Sequence, residues 1–132
     1  ISALDAYDFD FVIFPINIFC FLSSNFGGRI IRITEQKNID LIGIKSLALG
    51  KWQDNTMKQK YPNCWYQPIE NTRIAKIAIS WALSQSIVSF IPPADIRLFE
   101  TALQLISDSV EFTPQHSKEI KNLLPEITPI FP

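Results

Sequence analysis

The chain has 132 residues, a formal net charge of −1 and 47% hydrophobic residues, which suits one soluble domain with a core and is too short for two. No basic excess exists to hold nucleic acid through its phosphates. Phe9 to Leu22 is apolar but interrupted by Asp10, Pro15 and Asn17, short of the ~18 residues of a membrane span. With no signal-peptide pattern at the start, a cytoplasmic protein without membrane or nucleic-acid partners is expected.

In chain order, one grammar repeats: a short apolar run, a loop, then an amphipathic helix. The runs are Phe9 to Ile16, Leu41 to Ile44 and Ile87 to Ile91. None alternates apolar with polar residues, so each is expected to be a strand buried on both faces of a parallel sheet. The first helix is expected around Ser24 to Lys37, with Gly27 and Gly28 weakening its first turn. Lys51 to Glu70 is a long connector carrying Trp52, Met57, Tyr61, Trp65 and Tyr66, either a lid over a site or a flap packed on the rim. Asn71 or Thr72 caps a helix to about Ser84, whose Ile74, Ile77, Ala78 and Trp81 form a stripe at i, i+3, i+4 and i+7. A further helix spans about Ile96 to Asp108, with Leu98, Ala102, Leu105 and Ile106 inward.

Thr113 followed by Pro114 starts a last helix, Gln115 to Leu124, through a cap and a proline at the first helical position. Pro125, Pro129 and Pro132 mark an irregular tail. His116 reads as a surface histidine. Cys20 and Cys64 have no CxxC spacing and read as free thiols, and no metal site is expected.

Alternating strands and helices imply right-handed crossovers and a parallel sheet. A closed (β/α)8 barrel takes ~250 residues, roughly twice this length. Neither GxGxxG nor GxxxxGK[ST] occurs, so no nucleotide fold is supported by motif.

Four ordered stretches resemble the last three βα units of aldo-keto reductases, especially the bacterial predicted-oxidoreductase branch. Tyr7 to Asn17 is similar to the sixth barrel strand, with its aspartate, hydrophobic run and asparagine. Gly43 to Gly50, reading GIKSLALG, resembles the seventh strand and the turn after it. Ile77 to Gln85, reading IAISWALSQ, resembles the helix that follows. Ile91-Pro92-Pro93 with Arg97 to Thr101 looks like strand eight and its cofactor loop. The resemblance implies a partial (β/α)8 TIM barrel: three parallel strands with covering helices over 1–110, and a C-terminal helix and tail over 111–132. Ile1 to Ala6 would be the tail of helix five, and the absent starting Met would follow from the same placement.

The resemblance also implies a function: a fragment of an NAD(P)H-dependent oxidoreductase acting on a small carbonyl or alcohol, whose other partner is the missing N-terminal half of the barrel. The family's catalytic Tyr, Asp, Lys and His match no position here, so no catalytic residue is assigned. Cofactor binding, of NADP or NAD, falls on Lys45, Ser46, Leu47, Gly50, Pro92, Pro93, Arg97, Glu100 and Thr101. Backbone N–H groups of Ser46 to Gly50 would approach the diphosphate, and Arg97 would clamp the 2′-phosphate. Asn17, Trp52 and Trp65 are candidates to line the substrate site. Three plainer readings stand beside these: Lys45 simply reaching solvent, Arg97 pairing with Glu100 at i+3, and Asn17 tying down its own loop. The family's strand-six Gln and strand-seven Tyr, which hold and stack the nicotinamide, are matched by Ile13 and Ile44. The alternative is therefore a non-catalytic structural or binding module derived from such a barrel. Alone, three strands with open edges are expected to aggregate or self-pair.

Overall fold

The computed structural model describes residues 1–131. Pro132, the end of the expected tail, and the Met57 side chain lie outside the described residues. Chain order is α1 (Ser2–Ala6), β1 (Phe11–Pro15), α2 (Ile18–Ser24), α3 (Gly28–Lys37), β2 (Asp40–Ile44), β3 (Ala48–Gly50) and α4 (Asn55–Lys60). There follow β4 (Gln67–Pro68), α5 (Thr72–Leu83), β5 (Ser89–Ile91), α6 (Ile96–Ser107), α7 (Pro114–Leu123) and a 3-10 turn, Leu124–Glu126. The protein is α/β, with β1, β2 and β5 hydrogen-bonded in that order and all parallel. Phe11 and Ile42 sit on adjacent strands, and Val88, just before β5, donates its N–H to Leu41 at 2.9 Å. β3 and β4 form a separate antiparallel pair.

Register decides which side chains share a face. Val12 stands beside Leu41, and Phe14 beside Gly43 and Phe90; these point into the core with α5 and α6. The other face carries Phe11, Ile13, Ile42, Ile44 and Ile91; Ile42 and Ile44 are half-buried and the outer three are exposed. Phe11 is 54%, Ile13 49% and Ile91 51% exposed. The expectation of strands buried on both faces is thus corrected: the helices cover one face only, and the apolar runs on β1 and β2 conceal which face that is.

The helices form where caps and periodicity direct them. Asn71 caps α5, its Oδ1 accepting from the Ile74 N–H at 3.1 Å. The stripe Ile74, Ile77, Ala78 and Trp81 is buried as expected, and Ala75, Ile79 and Ala82 are buried as well. The small residues Ala78, Ala82 and Ala102 are wholly enclosed where α5 and α6 pack together. Thr113 caps α7, with Pro114 in the first turn. His116 is not merely a surface histidine. Its Nδ1 accepts from the Thr113 N–H at 3.2 Å and completes a reciprocal capping box.

The expected helix from Ser24 to Lys37 is broken in two. α2 begins earlier, capped by Asn17, and ends at Asn25 in the left-handed region. Gly27, at φ +86°, then starts α3; a Cβ there would come within 3.4 Å of the Pro15 carbonyl oxygen. Glycine takes up this backbone conformation without strain, close to the end of β1.

Gly50 is fixed by packing instead. A Cβ there would stand 2.6 Å from the Thr128 carbonyl oxygen, which accepts from the Lys51 N–H at 2.8 Å. Gly50→Ala is therefore expected to cost about 1–3 kcal/mol through overpacking. A urea midpoint shifted down, with faster proteolysis of 124–131, is the expected readout; an unchanged midpoint would contradict the close packing.

Candidate functional site

The parallel register sets Pro15, Ile44 and Ile91 side by side at one end of the sheet. The residues that leave those strand ends, Asn17, Lys45 and Pro92, therefore gather at one rim. Backbone and side-chain hydrogen bonds hold this rim. Asn17 is buried; its Oδ1 accepts from the Cys20 N–H at 3.0 Å, and its Nδ2 donates to the carbonyls of Lys45 at 2.9 Å and Ala48 at 2.7 Å. One side chain thus starts α2 and anchors the loop after β2. Only the Cys20 bond ties down the loop of Asn17 itself; the other two reach the turn after β2.

The Lys45 carbonyl also accepts from the Ala48 N–H at 3.0 Å, closing a tight turn. Lys45 itself has φ +62°, a conformation that costs a non-glycine residue about 1–2 kcal/mol. Ser46 follows, fully buried, and its Oγ has no hydrogen-bond partner among the described residues. Strain and an unsatisfied hydroxyl in adjacent residues mark this turn as the least relaxed part of the rim.

Lys45 reaches over Trp65, its Nζ 4.9 Å from the ring centroid. Partial burial draws its pKa below the usual lysine value. Together with Ile44, Tyr66, Ile91 and Pro92 they line an open cavity of about 200 Å³. Burial pushes the Tyr66 phenol up to about 12. A larger cavity, about 380 Å³, opens between Leu49, Gln67, Ile74 and Ile127 and shares no lining residue with the first. We favour the smaller as the candidate site, because it alone touches the ends of two parallel strands.

Arg97 does not pair with Glu100, which is exposed. Its Nε donates to Asp95 Oδ1 at 3.0 Å and its Nη2 to Asp95 Oδ2 at 2.7 Å, while Nη2 also reaches the Lys60 carbonyl at 2.5 Å. The guanidinium lies 4.8 Å from the Tyr61 ring centroid. Tyr61 donates to Glu70 Oε1 at 2.8 Å, and Lys60 forms an ion pair with the same carboxylate. The Arg97 guanidinium holds the Asp95 carboxyl below its usual range, and Lys60 with Tyr61 does the same for Glu70.

Lys45, Ser46, Pro92 and Trp65 come together at the rim, with Asn17 beneath them. Others point elsewhere. Leu47 is buried in the core, Gly50 faces the tail and the larger cavity, and Pro93 is buried. Trp52 packs with Tyr61, Cys64 and Leu98, and its Nε1 donates to the Cys64 carbonyl at 2.9 Å. Thr101 donates back to the Arg97 carbonyl of its own helix at 2.8 Å. Cys20 and Cys64 are free, buried thiols. Asp95 was the missed residue. An aspartate just before a helical stripe is an N-cap signal, and it was available in the sequence. Comparison with protein families, with curated proteins and with solved structures gives no match.

Two outcomes follow from these bonds. Asn17→Ala removes a cap and two long-range hydrogen bonds, so about 2–4 kcal/mol of stability should go, with amide exchange accelerated at 45–48; slow exchange there would sink the anchoring role. The Asp95 and Glu70 carboxylates have lowered folded-state pKa values, so their stabilisation is whole above the ordinary carboxylate range. It is lost as pH falls through the lowered values. In acid melts Asp95→Asn should therefore lose less stability than wild type between pH 5 and pH 2 (about the carboxylate window), and an identical loss would contradict the pairing.

Proposed function

We propose that this chain is the C-terminal part of an aldo-keto reductase-like (β/α)8 barrel, βα units six to eight. It carries part of the site for a nicotinamide dinucleotide and none of the catalytic side chains. The observation that carries this reading is the row of parallel strand ends, with Lys45, Trp65 and Pro92 around one cavity. In such barrels loops at the C-terminal ends of the strands do the chemistry. Lys45 supplies positive charge for a diphosphate, and Trp65 supplies an apolar floor. The bare, apolar sheet face then corresponds to the inside of the barrel, filled by side chains of the remaining strands. Helix α6 adds to the exposed apolar surface with Ile96, Phe99 and Leu103, as a neighbouring helix would require. The parent reaction is hydride transfer between the nicotinamide and a small carbonyl or alcohol.

A second reading, a non-catalytic structural or binding module derived from such a barrel, is favoured by the apolar Ile13 and Ile44 and by the wholly internal bonding of Asn17. Titration of the chain with NAD⁺ and NADP⁺, followed by amide shifts, separates the two. Saturable shifts at Lys45, Ser46, Trp65 and Ala94 support cofactor binding; none with either dinucleotide supports the module.

The bare face makes its own prediction. The isolated chain should self-associate, and Ile13→Lys should shift it toward monomer at little cost to folding, within about 0.5 kcal/mol for an exposed position. Sedimentation that shows a wild-type monomer at all concentrations would contradict an interior role for this face.

A further inference from the structure

The larger cavity, about 380 Å³, is walled by stretches far apart in the chain: β3, the link from β4 into α5, the end of α7, and the tail. The tail closes it. Lys51 donates its N–H to the Thr128 carbonyl at 2.8 Å, and Gln53 Nε2 donates to the Glu126 carbonyl at 2.9 Å. Gly50 lets the tail come this near, since a Cβ there would stand 2.6 Å from the Thr128 oxygen. The cavity is therefore formed by packing and hydrogen bonds of the chain itself, and its volume lies within the ~300–1,000 Å³ of small-molecule sites.

Its lining divides by chemistry. Leu49, Ile69, Ile74, Leu123 and Ile127 make an apolar surface continuous with the main core. The charged residues of the lining are Lys51, Glu70 and Glu126. Glu70 is matched by Lys60, with Tyr61 donating to the same oxygen. Lys51 and Glu126 form no ion pair among the described residues. What remains is one cation and one anion beside an apolar wall. The two bonds that fasten the tail also set Lys51 and Glu126 on adjoining stretches.

We infer that this cavity binds a free apolar α-amino acid. Its side chain lies against Ile74, Leu123 and Ile127, its carboxylate meets Lys51, and its ammonium meets Glu126. An uncharged apolar molecule leaves both charges unused, and a ligand of one sign leaves one of them unmatched. A zwitterion whose two charges are neighbours uses all three parts of the lining. The two cavities share no lining residue, so this site stands or falls apart from the cofactor reading.

Binding is measured on the full chain by amide shifts and calorimetry. The probes are L-leucine, L-leucinamide, which keeps only the ammonium, and 4-methylpentanoate, which keeps only the carboxylate. Leucine should shift the amides of 49–51, 69–74 and 123–128 saturably. It should bind about threefold to tenfold more tightly than either analogue, the scale of one exposed charged contact. Glycine, without the apolar arm, should bind weaker by about tenfold or more. Lys51→Gln should weaken leucine and 4-methylpentanoate and spare leucinamide. Glu126→Gln should weaken leucine and leucinamide and spare 4-methylpentanoate. Both positions are exposed, so the variants keep the fold. No saturable leucine shift, equal affinity for the three probes, or variants that weaken all three alike would each overturn the proposal.

Discussion

A parallel sheet has no edge-to-edge economy of its own; it is held by what lies on its faces. Here helices lie on one face, and the rest of the structure depends on that one-sided burial. Leu41 and Phe90, with Ile16 and Phe19 from the rim, meet Ile77, Ala78, Ile79 and Trp81 of α5 in a single cluster. At ~25 cal/mol per Å² of apolar surface removed from water, such side chains contribute on the order of 2 kcal/mol each. The opposite face, with Phe11, Ile13 and Ile91, contributes nothing of this kind until something covers it. The same alignment that builds the core also lines up the three strand ends, so packing and the position of the rim have one cause.

At that rim, stability is given up locally. The left-handed backbone of Lys45 and the unpartnered Ser46 hydroxyl both oppose folding. Asn17 offsets them by bonding across from the other strand end. It holds the turn by its carbonyls, at Lys45 and Ala48, and leaves the Lys45 side chain to reach Trp65. A strained turn fastened by a buried amide fixes the backbone from which Lys45 reaches Trp65.

How much of this the sequence disclosed depended on whether the deciding force was local. Periodic stripes and caps are local, so α5 with Asn71 and α7 with Thr113 and Pro114 were readable, as was the parallel order of the strands. The break between α2 and α3 was not, because Ile18 to Leu22 is continuously apolar and shows no helical period apart from the strand before it. One-sided burial was hidden for a similar reason: odd and even positions of β1 are both apolar, and only the neighbours tell them apart. Arg97 shows the limit most sharply. Spacing favoured Glu100 at i+3, yet the partner is Asp95, since a cap folds back over the first turn whereas Glu100 points to solvent. Trp52 and Trp65 were indistinguishable by composition; one is pinned to the Cys64 carbonyl and the other stands open beneath Lys45.

The distribution of charge completes the picture of what the rim can discriminate. Around α6 and the connector two ion pairs lie within the chain, Arg97 with Asp95 and Lys60 with Glu70. Lys45 differs: among the described residues it faces an aromatic ring and pairs with no carboxylate, and desolvation lowers its pKa. A cation in that state gains most from an arriving anion, whereas a guanidinium already satisfied gains least.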